Sequence, residues 1–275
     1  MYEQILYAVE DPVATITLNR PDVLNAWTDR MGAEVRHAVY QAERDPAVVG
    51  VVITGAGRGF CAGADMQTLS SIRDGNRPGG DFSDVAVELE EPVPPDFAGE
   101  FTYLLAVRKP IVAAINGPIA GMAVPIALCC DLRFMAADAP LVTAFSQRGL
   151  IAEWGIGWLL PRLVGTGHAL DLLFSSRRIR GTEAAAMGLV NAALPAEEVL
   201  GHSRRYIQEL AQTCSPTSLA VMKRQVYEQL TDSLGPAERE ARRLMLESFG
   251  RPDFKEGVNS FLEKRPPRFG RIGRS

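Results

Sequence analysis

Apolar positions along the chain alternate between two periods. Val13–Leu18 repeats every second residue, as a strand with one covered face does, and Asn19-Arg20-Pro21-Asp22 breaks the pattern. Thr28 is a helix-capping type, and Met31, Val35, Ala38 and Val39 then recur at helical spacing, which predicts a helix to about Arg44. Residues 48–54 are continuous and β-branched, the pattern of a strand covered on both faces, and Ile111–Ile115 is a second such run. Helices are predicted over 101–107, 155–164, 166–175 and 182–187, with another opening near Gly121 and running to Cys130. Residues 132–135 and 189–194 read as strands. From Pro195 onward only helices are predicted, and Ser215-Pro216, Gly235-Pro236 and Arg251-Pro252 each put proline where a helix can begin. The expected organisation is an α/β core over 1–194 and a helical region over 195–275, with no fixed-period repeat. Residues 73–100 crowd Gly, Pro and acids together (Arg77-Pro78-Gly79-Gly80-Asp81, Glu88-Leu89-Glu90-Glu91-Pro92). They read as a long mobile loop, of the kind that often serves as a lid or shapes a substrate pocket.

One piece of punctuation occurs twice. The run over 48–54 leads into Gly59-Phe60-Cys61-Ala62-Gly63-Ala64-Asp65-Met66, and Ile111–Ile115 leads into Asn116-Gly117-Pro118-Ile119-Ala120-Gly121-Met122. In each, a buried strand ends in a turn of small residues that can open a helix, with backbone N–H groups pointing outward. Two such turns facing each other could hold one developing oxyanion; the alternative is that they are tight turns serving packing alone. Gly55-Ala56-Gly57-Arg58-Gly59 mimics a dinucleotide fingerprint, but the third glycine position falls on Phe60 and no helix opens there.

Composition narrows the class. The 275 residues are 47% hydrophobic and 23% charged, enough for a large core. A net charge of −4 argues against a general nucleic-acid binder. No apolar stretch approaches the ~20 residues of a membrane span, and the N-terminus lacks a signal-peptide pattern. Cys61, Cys129, Cys130 and Cys214 form no CxxC pair, which suits a reduced cytoplasmic setting with buried thiols. His37, His168 and His202 form no ligand cluster, so no metal site is expected. His37 reads as a residue of an amphipathic helix surface, Trp158 as core, and Cys61 as packing beside its turn.

Several of these segments together resemble the crotonase (enoyl-CoA hydratase/isomerase) superfamily. They are Leu18-Asn19-Arg20-Pro21 with Leu24-Asn25-Ala26, Cys61-Ala62-Gly63-Ala64-Asp65-Met66, and Lys109-Pro110 with Ile115-Asn116-Gly117. Cys130-Asp131-Leu132, Gly188-Leu189-Val190 and Phe261 with Lys264-Arg265 continue the series, so the resemblance spans nearly the whole chain. It implies a spiral of ββα turns with C-terminal helices that pack subunits into trimers, often paired as hexamers. The ligands it implies are acyl-CoA thioesters, with coenzyme A a part of the substrate and no separate cofactor. The common step is enolate formation at the thioester carbonyl. Two fixed backbone donors then stabilise the transition state more than the ground state. Losing one typically costs roughly 3–4 kcal/mol.

By resemblance the donors are the N–H groups of Ala64 and Met122, the latter standing where glycine is usual and gaining the dipole end of the helix it opens. Ala62 and Ala64 are expected on the adenine side of CoA, with Leu24, Asp65 and Met66 alongside and Asp65 bracing the turn. Phe261 and Lys264 match residues that touch CoA in an adjacent subunit; for Lys264 the alternative is a solvated charge. Hydratases of the family use two glutamates, one to orient and deprotonate water and one to deliver a proton. Here those positions fall on Pro125 and at or near Gly149, and neither can move a proton. Glu153, beside Ile151 and Trp154, matches a position where dienoyl isomerase and dehalogenase branches place an Asp. Burial there could raise its pKa to that of a useful base; the alternative is that it caps the helix from Gly155. The readings left open are proton transfer on acyl-CoA, thioester hydrolysis, and non-catalytic acyl-CoA binding.

Overall fold

The computed structural model describes residues 2–76, 79–87 and 93–273. Residue 1, Arg77 and Pro78, residues 88–92 and residues 274–275 lie outside the described residues. The chain opens with strands β1 (Ile5–Glu10) and β2 (Val13–Leu18), helix α1 (Asp29–Arg44), strand β3 (Gly50–Gly55), helices α2 (Met66–Arg73) and α3 (Tyr103–Ala106). Then come β4 (Ile111–Ile115), β5 (Ile119–Ala120), α4 (Ala123–Leu128), β6 (Leu132–Ala136), β7 (Pro140–Val142), α5 (Ile156–Ser175), β8 (Ile179–Arg180), α6 (Gly181–Ala186) and β9 (Ala192–Leu194). Helices α7 (Val199–Thr213), α8 (Pro216–Gln229), α9 (Leu234–Phe249) and α10 (Pro252–Leu262) complete it.

Among the described residues the main sheet runs β1-β2-β3-β4-β6-β9, with only the β1–β2 pair antiparallel. A second sheet, β5-β7-β8, lies beside it. All residues of β3 and β4 are buried, as their uninterrupted apolar runs require. Thr28 caps α1 by accepting the Met31 N–H at 3.1 Å, and Met31, Val35, Ala38 and Val39 are all buried on the face turned to the sheet. The break expected between 164 and 166 is real: Gly165 has φ +77 and ψ 159, so α5 is two helices joined at a kink.

Some elements differ from expectation. β1 was not anticipated; it is an edge strand with mostly exposed side chains and carries no burial signal. The short strands of the second sheet pair residues far apart in sequence, and a pair such as Ile119–Ala120 has no pattern to read. The helix expected to reach Cys130 stops at Leu128, and that over 101–107 is a single turn. Helix α7 packs on β2, β3, β4 and β6, so the first of the C-terminal helices covers the core sheet. The segment 73–100 contains two 3-10 turns, Ser83–Val85 and Pro95–Phe97, and is pinned where Arg30 grips Asp84 through two 2.7 Å hydrogen bonds.

The loop after β3 is held by asparagines. Asn25 is fully buried at φ +57; its Nδ2 donates to the carbonyls of Ala56 (2.9 Å), Gly59 (2.9 Å) and Phe60 (3.2 Å), and its Oδ1 accepts the Arg20 N–H (2.9 Å). Asn116 donates to Gly55 O (2.9 Å) and Gly57 O (3.1 Å) and accepts Gly55 N–H (3.1 Å). Removing the Asn25 side chain strands several buried polar groups at about 1–3 kcal/mol each. We expect Asn25→Ala to lower the free energy of urea unfolding by about 3 kcal/mol. The near-isosteric Asn25→Asp should cost at least as much, because it turns an acceptor toward three carbonyls; an Asp variant as stable as the parent would contradict this role.

Candidate active site

The two small-residue turns meet backbone to backbone. Phe60 N–H donates to Pro118 O (3.1 Å), Ala120 N–H to Cys61 O (3.1 Å), and Cys61 pairs with Ile119 in an isolated parallel bridge. Gly63, at φ +95, lies so close to the second turn that a β-carbon there would stand 2.9 Å from Ala120 O. On the other side, Trp27 N–H donates to Gly63 O (2.8 Å) and Asp65 N–H to Trp27 O (2.9 Å), which leaves the Ala64 N–H turned away from that pairing. Among the described residues neither the Ala64 N–H nor the Met122 N–H donates to a protein acceptor, and both residues line one cavity of about 1290 Å³.

The same cavity wall includes Ala62, Asp65, Met66 and Glu153, so these expected residues come together with Ala64 and Met122. Asp65 is committed to scaffolding. It caps α2 by accepting the Gln67 N–H (2.8 Å) and pairs with Arg20 (2.8 Å), and although burial opposes it, this pairing holds its carboxyl below the usual range. Leu24 does not line the cavity; it has φ +51, and its carbonyl accepts the Ala62 N–H (2.9 Å) behind the turn. Phe261 and Lys264 lie at the exposed end of α10, Phe261 at 83% exposure, and line no part of this cavity. The expected dipole at Met122 is that of a helix of only six residues.

Pro125 is the third residue of α4, in its first turn, and is buried; Gly149 has φ +69 and is exposed. Neither lines the cavity. Glu153 is half-buried, and burial raises its pKa above the ordinary 4.5 while the neighbouring Trp154 side chain pulls it the other way. It does not cap α5: the cap residue is Gly155, which receives no side-chain bond. Glu153 precedes two residues in left-handed conformation, Trp154 (φ +56) and Gly155 (φ +78). A left-handed tryptophan costs roughly 1–2 kcal/mol, and its ring packs on Phe101, which packs in turn on Trp27, each at 5.5 Å between centroids.

Sequence reasoning did not anticipate other polar groups on this wall. Glu100, Arg36 and Asp29 line it too, from the end of the 73–100 segment and from α1. Nothing local marks them, because only the fold brings these stretches together. Cys61 is fully buried, and burial pushes its thiol up to about 12, which excludes it as a nucleophile. His37 bonds Tyr2 Oη through Nδ1 (2.7 Å), and burial lowers its pKa. Trp158 is half-buried against the core, with Arg162 stacked on it. No metal-ligating cluster of His, Cys, Asp and Glu occurs among the described residues.

Comparison with known proteins decides the family. Residues 8–271 match the sequence profile described as Enoyl-CoA hydratase/isomerase. The chain belongs to the enoyl-CoA hydratase/isomerase family. It is 35% identical to the 1,2-epoxyphenylacetyl-CoA isomerase of Escherichia coli, over 98% of this chain and 99% of that protein. It is 34% identical to a probable enoyl-CoA hydratase of Rhodobacter capsulatus, over 98% of each. It superposes on the crystal structure of an enoyl-CoA hydratase subunit from Geobacillus kaustophilus with a TM-score of 0.83, 31% identity and 98% of each chain covered. The mixed α/β architecture is therefore the crotonase fold that the motifs implied, with its helical C-terminal region.

Two outcomes check the site geometry. Gly63→Ala should lower the melting temperature by about 5 °C or more, since it puts a β-carbon against a carbonyl in a left-handed conformation. Gly121→Ala, also at positive φ (+53) but with its nearest neighbour 3.9 Å away, carries the backbone strain without the clash and should cost less. Native protein at pH 8 should react with at most one equivalent of DTNB, through half-buried Cys214, and four thiols should react after unfolding.

Proposed function

We propose that the protein acts on acyl-CoA thioesters by a single-carboxylate proton shuttle, moving a double bond rather than adding water. The observation that carries this is the coincidence, in one cavity, of Glu153 with two backbone N–H groups that have no partner among the described residues, while by resemblance the two hydratase positions fall on Pro125 and at or near Gly149. Glu153 takes a proton from carbon; the C–H electrons move toward the thioester carbonyl, and the oxygen becomes an enolate. Ala64 and Met122 N–H hold that oxygen, stabilising charge that exists only after proton transfer. Glu153, now protonated, returns the proton at the far end of the dienolate and is ready for another turnover. Hydration would also need a group to hold and deprotonate water. The E. coli relative is an isomerase of an epoxide by name and the R. capsulatus relative a probable hydratase, so the preference for isomerisation rests on the site residues alone. In this reading Ala62, Asp65 and Met66 form the CoA-binding side, and Leu24, expected with them, supports their turn from behind. Phe261 and Lys264 complete the site of an adjacent subunit in a trimer or hexamer. The exposed apolar side chains Leu234, Phe249, Phe254 and Leu262 on α9 and α10 support that assembly.

The test is the steady-state rate with a 3-enoyl-CoA beside crotonyl-CoA, for the parent and Glu153→Gln. The variant should bind acyl-CoA as the parent does and lose about 10²–10⁴-fold in rate. Because Glu153 works as an ionised base with a raised pKa, activity should fall as pH drops through a value above 4.5. The residual activity of the variant should lack that acidic limb. Efficient crotonyl-CoA hydration, or an unchanged rate in Glu153→Gln, would overturn the proposal.

A further inference from the structure

Glycine 32 sits inside α1, where a glycine costs roughly 1 kcal/mol against alanine, and its backbone conformation does not require it. Its value is the room it leaves. A β-carbon there would stand 3.2 Å from the indole Nε1 of Trp27 and 3.3 Å from Oε1 of Glu100. Glycine thus seats an indole edge and a carboxylate against the same point of the helix, and all three residues line the cavity.

Neither polar group has a hydrogen-bond partner among the described residues. Trp27 is 96% buried (4% exposed), and its indole N–H meets no acceptor among the described residues. The Nε1 atom is reached from the cavity and is not sealed in the core, where Thr15 Oγ1 is the one buried side-chain N or O without a partner among the described residues. The Glu100 carboxylate accepts no hydrogen bond among the described residues. Its nearest cation, Arg36, stands 3.7 Å from Oε2, beyond hydrogen-bond reach. Arg36 is occupied elsewhere: it donates to the Glu100 backbone carbonyl (3.1 Å) and lies over the Tyr103 ring (4.4 Å). It therefore fixes the Glu100 backbone without saturating the carboxylate. Burial raises the Glu100 pKa, with Arg36 acting against the shift. The wall around them combines apolar Ala33, Val85, Ala86, Val87 and Trp154 with Arg36 and Asp29, and the Asp29 charge adds to the upward shift of Glu100.

A free donor and a free acceptor beside one point suit a group that both accepts and donates. We infer that Trp27 Nε1–H and the Glu100 carboxylate form a subsite for a hydroxyl on the acyl part of the substrate, one that takes no part in the reaction. The hydroxyl oxygen accepts from Trp27 and its proton goes to Glu100. A carbonyl would leave Glu100 unanswered, a carboxylate would repel it, and a plain alkyl chain would leave both groups desolvated and unpaired. The substrate class is then a hydroxylated aliphatic or aromatic acyl-CoA. This inference rests on the acyl-CoA reading above.

The test is calorimetric binding to the whole protein of matched thioesters. Hexanoyl-CoA is compared with its 4-, 5- and 6-hydroxy forms, and phenylacetyl-CoA with its 4-hydroxyphenyl counterpart. At least one hydroxylated ligand should bind about tenfold or more tighter than its parent, as for a hydrogen bond to a charged group. Glu100→Ala, at a side chain 45% exposed and so tolerant of change, should bring that ratio close to one, and the unhydroxylated ligand, which no longer desolvates an unpaired carboxylate, should bind at least as tightly as to the parent. Trp27→Phe, which removes the indole N–H together with one ring of the buried side chain, should lower the ratio in the same sense. If every pair binds equally, or the ratio survives Glu100→Ala, the subsite is refuted while the acyl-CoA reading stands. If no thioester binds, both fall.

Discussion

The site depends on how closely two turns can approach. At Gly63 a backbone with φ +95 passes a carbonyl of the second turn with no room for a β-carbon. That contact aligns the end of β3 with the end of β4, although more than fifty residues separate them. The turns are zipped by Phe60→Pro118 and Ala120→Cys61 hydrogen bonds, the Ala62 and Gly121 N–H groups bond Leu24 O and Val142 O, and farther along the Ala64 and Met122 N–H groups have no partner among the described residues. An unpaired N–H on a cavity wall costs free energy in the empty protein. It is also a preorganised donor, needing no rearrangement when charge develops in front of it.

Much of what looks like chemistry in the sequence is scaffolding. Lys109 is fully buried, donates to Ala42 O (2.8 Å) and Asp45 O (2.6 Å), and has its pKa lowered by burial to about 8. Asp131 accepts from Ile111 N–H, Tyr227 Oη and Lys223 Nζ, tying α8 to the start of β4. Buried Arg133 serves the Leu189 and Cys130 carbonyls, and Glu34 accepts the N–H groups of Glu3 and Gln4. Each satisfies backbone groups in places where no secondary-structure partner exists, which is what a buried charged side chain must do to be tolerated. Glu153, Glu100 and the Trp27 indole, on the cavity wall, carry no such duty among the described residues.

Two of the six non-glycine residues with positive φ among the described residues stand at the cavity. Ala144 and Trp154, both on its wall, have positive φ, as does Gly155 beside them. The stack Trp27–Phe101–Trp154 holds the strained turn that presents Glu153 and links it to the segment carrying Glu100. The two carboxylates thus flank one aromatic wall, and burial raises both of their pKa values.

Local pattern was sufficient for much of this protein. The β-branched runs of β3 and β4, the Thr28 cap, the period of α1, the break at Gly165 and the helical tail all follow from interactions within a few residues, so they are legible in the chain. The two turns and Glu153 were legible as candidates because strand, small residues and acid occur in order. Edge strand β1, the three short strands of the second sheet and the packing of α7 on the core were decided by tertiary structure, since each depends on partners distant in sequence. The same holds for the polar wall. Trp27, Gly32, Arg36 and Glu100 carry no motif, and their meaning comes from non-local packing that leaves one donor and one acceptor facing the same space.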